Sequence, residues 1–211
     1  MKNHPLDAPN FEYTISYFDA KFEQILSRII ICYNCIISEK IKVPLNNENA
    51  IRDIMLNNYL KNTKFKTLNK PLSNYHFDKE TSESGGRADI RVLKVNPYED
   101  DDAYYVIECK RLNGKKDLNS KYVVSGIARF TNEKKYHFFN NSAGMLGFVV
   151  EKIDINQNIL AINEFLSKEE ELFGKTIVSD FKYSYCSKHN INGISKTIYH
   201  LMLDFSENIA I

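Results

Sequence analysis

Two short apolar segments, Arg87–Val95 and Ala103–Lys110, flank a turn-forming run of Pro97 and Glu-Asp-Asp-Asp at 99–102. A strand alternates its side chains between two faces, so Ile90 and Val92 fall on one face while Asp89 and Arg91 fall on the other. Glu108 and Lys110, two residues apart beside Val106 and Ile107, share a face. If the strands pair as neighbours, Asp89, Glu108 and Lys110 converge on one edge of a sheet. A carboxylate among buried strand residues is costly unless it meets a cation or a hydrogen-bond donor. Two carboxylates and a lysine suit a divalent metal, whose hard-oxygen ligands the acids supply while the lysine orients or deprotonates a water. The plainer reading is an ion-pair set, with Asp89 bridged to Arg87 or Lys110 and Lys110 paired with Glu108.

Ala88-Asp89 followed by Glu108-Cys109-Lys110 resembles the two acidic elements of the PD-(D/E)XK nuclease superfamily, with alanine where the family name has proline. Three other acid-x-lysine triplets occur, at Asp19–Lys21, Glu133–Lys135 and Asp180–Lys182. The first two lie in helical patterns, where residues two apart do not share a face, and no Gly-Asp strand precedes the third. The resemblance covers about residues 48–150. It implies an α/β fold with a restriction-endonuclease-like core, ordered α-β-β-β-α-β, and a mixed central sheet flanked by helices. It further implies Mg²⁺ or Mn²⁺ held by Asp89, Glu108 and the backbone carbonyl of Cys109, with Lys110 holding the attacking water. In this family the helix before the strands often donates another acid. Glu48 stands there, although it also suits a positive helix N-terminus. Glu80 is a second candidate. The implied activity is hydrolysis of nucleic acid phosphodiesters, DNA in the first instance, with restriction or phage defence as the setting. A non-catalytic nucleic-acid-binding or assembly module on the same fold is the alternative, and a structural domain with salt-bridged charges is a third.

At 211 residues the chain predicts one domain spanning 1–211. No apolar run nears the ~20 residues of a membrane span. The first residues lack the apolar core of a signal peptide, and four cysteines give no disulfide framework, so a reducing cytoplasm is predicted. Cys32 and Cys35 have zinc-like spacing but no matching second pair, which favours buried structural thiols. The net charge of +1 says nothing about nucleic acid. From Lys110 to His137, however, eight basic residues face two acidic ones. Lys115, Lys116, Lys121, Arg129, Lys134 and Lys135 are thus candidate phosphate contacts, Arg129 sharing a helical face with Tyr122. A solvated helix face explains them equally.

Apolar residues at Phe11, Ile15, Phe18, Phe22, Ile25, Ile29, Cys32 and Ile36 keep heptad spacing, predicting a helix over about 11–40. Leu26, Ile30, Tyr33 and Ile37 widen its stripe beyond one seam. The stripe must lie on the chain's own sheet or on a second copy, which makes a homodimer the competing expectation. A helix over 48–61 capped by Asn47, strands over 75–80, 87–95 and 103–110, a helix over 120–140 and a strand over 144–150 make up the core. A helix over 155–166 and a hairpin of Phe181–Cys186 and Thr197–Phe205 about Asn192-Gly193 form an elaboration over 151–211, outside it. Alanine variants of Asp89, Glu108 and Lys110 are expected to change stability little, or to raise it where a carboxylate is freed from repulsion.

Overall fold

The computed structural model describes residues 9–69, 74–83, 86–94, 104–131, 136, 138–139, 141–166, 171–173, 177–178 and 181–210. The side chains of residues 9–19, 80–83, 86, 94 and 171–173 fall outside that description. Helix α1 spans Pro9–Ser38. Its seam residues Phe22, Ile25, Ile29, Cys32 and Ile36 are fully buried, as is Leu26. They lie on the chain's own sheet: the Phe22 ring sits 4.8 Å from that of Tyr105 and 5.1 Å from that of Tyr199. The Tyr33 hydroxyl donates to the Asp204 carbonyl at 2.9 Å. From Phe22 onward the intramolecular alternative therefore accounts for the stripe. Phe11, Ile15 and Phe18, the rest of the dimer expectation, have side chains outside the described set.

Helix α2, Glu48–Met55, is capped by Asn47, whose side chain accepts from the Ala50 amide, and it runs on through a π-helical turn, Leu56–Leu60. A short α3, Thr63–Leu68, was not expected from the sequence. Strands β1 (Tyr75–Glu83), β2 (Gly86–Lys94) and β3 (Tyr104–Leu112) follow. Next come α4 (Lys116–Tyr122), a second π-helical turn (Val123–Ile127), α5 (Ala128–Thr131) and β4 (Ser142–Val149). The chain then forms α6 (Ile155–Asn163), β5 (Glu171–Phe173), β6 (Ser184–Ile191) and β7 (Ile194–Asp204).

The described strands form one mixed sheet of seven, ordered β1-β2-β3-β4-β7-β6-β5. The β3–β4 and β4–β7 pairs are parallel, and the other pairs are antiparallel. Nearly every residue of β3 and β4 is buried, as central parallel strands covered on both faces require. Tyr105, Ile107 and Cys109 join the core under α1 and α2, whereas Tyr104 and Val106 join Tyr122, Ile127 and Phe130 on the opposite face. Among the described residues no helix is long and apolar enough to cross a membrane.

Two expectations are corrected. The helix read over 120–140 begins at Lys116 and is last described at Thr131; Tyr136, Phe138 and Phe139 are not helical. Phe130, Tyr136 and Phe138 are spaced by six and two, not by a helical period. They nonetheless meet, with the Phe130 ring within 5.2 Å of Tyr136 and 5.6 Å of Phe138. Lys134 and Lys135 lie outside the described residues. The C-terminal hairpin, in turn, is not outside the core, because β7 pairs in parallel with β4 from Ser142↔Thr197 to Val149↔Asp204. Its turn was legible locally: Asn192 and Gly193 both take positive φ, 54° and 78°, as a two-residue hairpin with native twist demands.

Candidate active site

Alternation along β3 places Glu108 and Lys110 together, and the Lys110 ammonium donates to Glu108 Oε1 at 2.5 Å. The same ammonium donates to the Cys109 carbonyl at 2.9 Å. Pairing of β2 with β3 runs from Leu93↔Tyr104 to Ile90↔Ile107. One step further the Cys109 amide donates to Asp89 Oδ2 at 2.8 Å, where a strand carbonyl would otherwise accept. Asp89 thus stands where the ladder gives way, close enough to Glu108 to disfavour its ionisation.

Helix α2 closes this end of the sheet with residues one turn apart, Glu48 and Arg52. Glu48 Oε2 accepts the Arg111 amide at 3.2 Å, and Oε1 lies 3.6 Å from Lys110 Nζ. Arg52, only 1% exposed, donates to Asp89 Oδ1 at 2.9 Å. Its Nε and second terminal nitrogen hold Asp53 Oδ1 at 3.1 and 3.0 Å, and Lys79 grips the other Asp53 oxygen at 2.6 Å. Arg111 ties the preceding loop down through the Leu45 carbonyl and the Asn46 side chain. Because Asn47 caps the helix that carries Glu48, Asn47→Ala is expected to lower stability by about 1 kcal/mol. Asn47→Ser should recover most of that in chemical denaturation, and equal losses in both variants would count against the cap.

The other wall comes from α4, the π turn and α5. An added Cβ on Gly126 would lie 2.6 Å from Met145 Cε and 3.5 Å from Lys110 Cγ. Its absence lets this turn rest on the lysine stem. One turn later, Arg129 donates to Glu108 Oε1 at 2.9 Å and to the Tyr136 hydroxyl at 2.6 Å. Tyr136 passes its own proton to the Arg87 carbonyl at 2.6 Å. Between the walls lies a polar cleft of about 400 Å³, whose lining includes Asn47, Glu48, Lys110, Lys121, Ser125 and Arg129.

Glu108 is fully buried and its Oε2 has no hydrogen-bond partner among the described residues. Burial, then the nearby Asp89, raise its pKa from 4.5 to about 7 against the opposing pull of Lys110 and Arg129. Burial works the other way on Lys110, yet Glu108, Glu48 and Asp89 outweigh it and hold the pKa above the usual value. Lys110 is therefore an ammonium at neutral pH, a donor and not a base.

Asp89, Glu108, Lys110 and Glu48, scattered over sixty residues, are thus brought to one end of the sheet, with the Cys109 carbonyl beside them. Glu80 cannot be placed, since its side chain lies outside the described set. Of the basic candidates, Lys121 and Arg129 line the cleft. Lys116 is exposed and does not line it, and Lys115 faces Glu151 at 3.8 Å. Arg129 and Tyr122 do not present a joint phosphate-binding face, because Tyr122 is buried with its hydroxyl against His200 Nδ1 at 2.9 Å. Asp89 is held by Arg52 and by the Cys109 amide, where the sequence suggested Arg87 or Lys110. Arg52 was missed in the sequence, although its place four residues after Glu48 puts both on one helical face. Tyr136 was missed because it was read as helical.

Among the described residues, no three or more His, Cys, Asp or Glu side chains form a group that would hold a metal. Magnesium does not require one, since it takes one or two carboxylates and fills the rest of its shell with water and phosphate oxygens. Asp89, Glu108 with its unpartnered oxygen, and the Cys109 carbonyl fit that demand. Glu48 is turned to Lys110 and to the Arg111 amide. Cys32, by contrast, is a buried thiol directed at the Met55 carbonyl, and none of the four cysteines is joined in a disulfide. No family model, curated protein or solved structure matched the chain.

Proposed function

We propose that this protein is a metal-dependent nuclease of the PD-(D/E)XK type, with a restriction-endonuclease-like core, hydrolysing phosphodiester bonds of DNA. The observation that carries this reading is Glu108: a fully buried carboxylate with one oxygen unpartnered among the described residues, flanked by Asp89 and Lys110 at the open end of a strand ladder. The order of α2, β1, β2, β3, α4 and β4 is the one the resemblance implies. Asp89, Glu108 and the Cys109 carbonyl would hold the Mg²⁺ or Mn²⁺, which when bound supplies a more acidic water and a polarised phosphate. The residues themselves supply the remainder. Lys110, fixed by Glu108 and Glu48, would donate a hydrogen bond that holds the attacking water in line or meets charge gathering on the phosphate. Lys121 and Ser125 line the route of the strand and give phosphate oxygens a cation and a hydroxyl. Asn47 and Arg111 keep α2, and with it Glu48, in place.

Incubation of plasmid DNA with Mg²⁺ or Mn²⁺ is expected to give cleavage that stops on adding a chelator. Cleavage indifferent to the chelator would remove the metal from the reading. One observation favours a second reading, a nucleic-acid-binding or assembly module: both Asp89 oxygens and Glu108 Oε1 already meet donors. That module would bind DNA and leave it intact at every metal concentration.

A further inference from the structure

The two walls of the site each set an arginine on a carboxylate, and the two arginines are held very differently. Arg52 is 1% exposed and its bonds include two to Asp53 and one to Asp89. Its guanidinium has nowhere to go without abandoning a buried ion-pair set. Arg129 has a side chain 31% exposed and lines the cleft. Among the described residues its bonds run through one nitrogen, shared between Glu108 Oε1 and the Tyr136 hydroxyl. Glu108, by contrast, would keep Lys110 if Arg129 left. A divalent cation arriving at Glu108 Oε2 meets the like charge of Arg129, which sits at hydrogen-bond distance from the other oxygen of the same carboxylate. Like charges that close repel strongly where water is scarce.

We propose that Arg129 is an exchangeable counter-ion of Glu108: it occupies the carboxylate when no divalent cation is bound and turns into the cleft toward a phosphate oxygen when one is. This rests on the nuclease reading above and adds to it the residue through which cation and phosphate binding are coupled. Arg52, by the same comparison, stays on Asp89 throughout. Linkage requires the coupling to be mutual, so a phosphate-bearing strand that draws Arg129 away raises cation affinity by the factor by which the cation raises strand affinity.

The test is Mn²⁺ titration of the full chain by calorimetry, for the unsubstituted protein, Arg129→Gln and Arg129→Lys, with and without a phosphorothioate oligonucleotide that resists cleavage. Arg129→Gln removes the competing charge, so Mn²⁺ should bind about tenfold tighter, the equivalent of ~1.4 kcal/mol. The gain in Mn²⁺ affinity given by the oligonucleotide should shrink in the same variant. Arg129→Lys keeps the charge and should bind Mn²⁺ like the unsubstituted protein. Both variants are expected to fold, because Glu108 retains Lys110, and thermal denaturation checks this. If the unsubstituted protein binds Mn²⁺ and Arg129→Gln binds it no tighter, the exchange is wrong while the nuclease reading stands. If no form binds Mn²⁺, the metal-dependent reading falls and the exchange with it. Equal tightening in Arg129→Lys would also overturn the exchange, since charge would not be its cause.

Discussion

Lys110→Ala is expected to be both inactive and markedly destabilised. As a transition-state donor its loss should lower cleavage at least ~10²-fold. The loss of stability follows from burial. Glu108 is fully buried and Lys110 only 8% exposed, and removing one partner of a buried pair costs on the order of 3–5 kcal/mol. Arg129 still meets Glu108, and the abandoned carboxyl can take up a proton, so the lower end of that range applies and the loss should grow with pH. The burial of the pair argues for a larger loss than the small effect expected from the sequence. Lys110→Met together with Glu108→Gln should recover much of the stability while remaining inactive, since neither residue then leaves a buried charge. Urea denaturation beside a cleavage assay separates the two effects. A Lys110→Ala protein as stable as the parent would show that the ion pair is not buried, and one that cleaves normally would take Lys110 out of the mechanism.

Stability should fall as pH rises from about 4.5 to about 7, by an amount assignable to Glu108. Its pKa is raised in the folded protein, from 4.5 to about 7, by burial first and Asp89 second. Below the unfolded value both states carry the proton, and the protonated carboxyl contributes fully to stability. Between the two values the folded state holds a proton that the unfolded state has released, so each step upward in pH favours unfolding. A difference of that size corresponds to roughly 3 kcal/mol across the window. Glu108→Gln, which cannot ionise, removes this component. The stability of the parent minus that of Glu108→Gln should therefore decline over pH 4.5–7 and level off above it. A difference that stays flat, or rises with pH, would mean that Glu108 is ionised in the folded protein at neutral pH.

How much of this was legible beforehand depends on the range of the interaction. The Asn47 cap, the Asn192-Gly193 turn and the alternation that pairs Glu108 with Lys110 are local, set by side chains within a few residues of one another. Periodicity likewise marked the buried stripe of α1 from Phe22 to Ile36, because a helix that hides one face must repeat its apolar residues. Choices of partner were not local. That β7 joins β4 in parallel, that α1 lies on its own sheet, and that Asp89 belongs to Arg52 and the Cys109 amide all depend on segments tens of residues apart. The sequence by itself determined which residues carry charge into apolar strands and which faces must be covered. Only the tertiary structure decided which charges meet, because a buried carboxylate takes whatever donors packing brings within reach, and packing is settled by the whole chain.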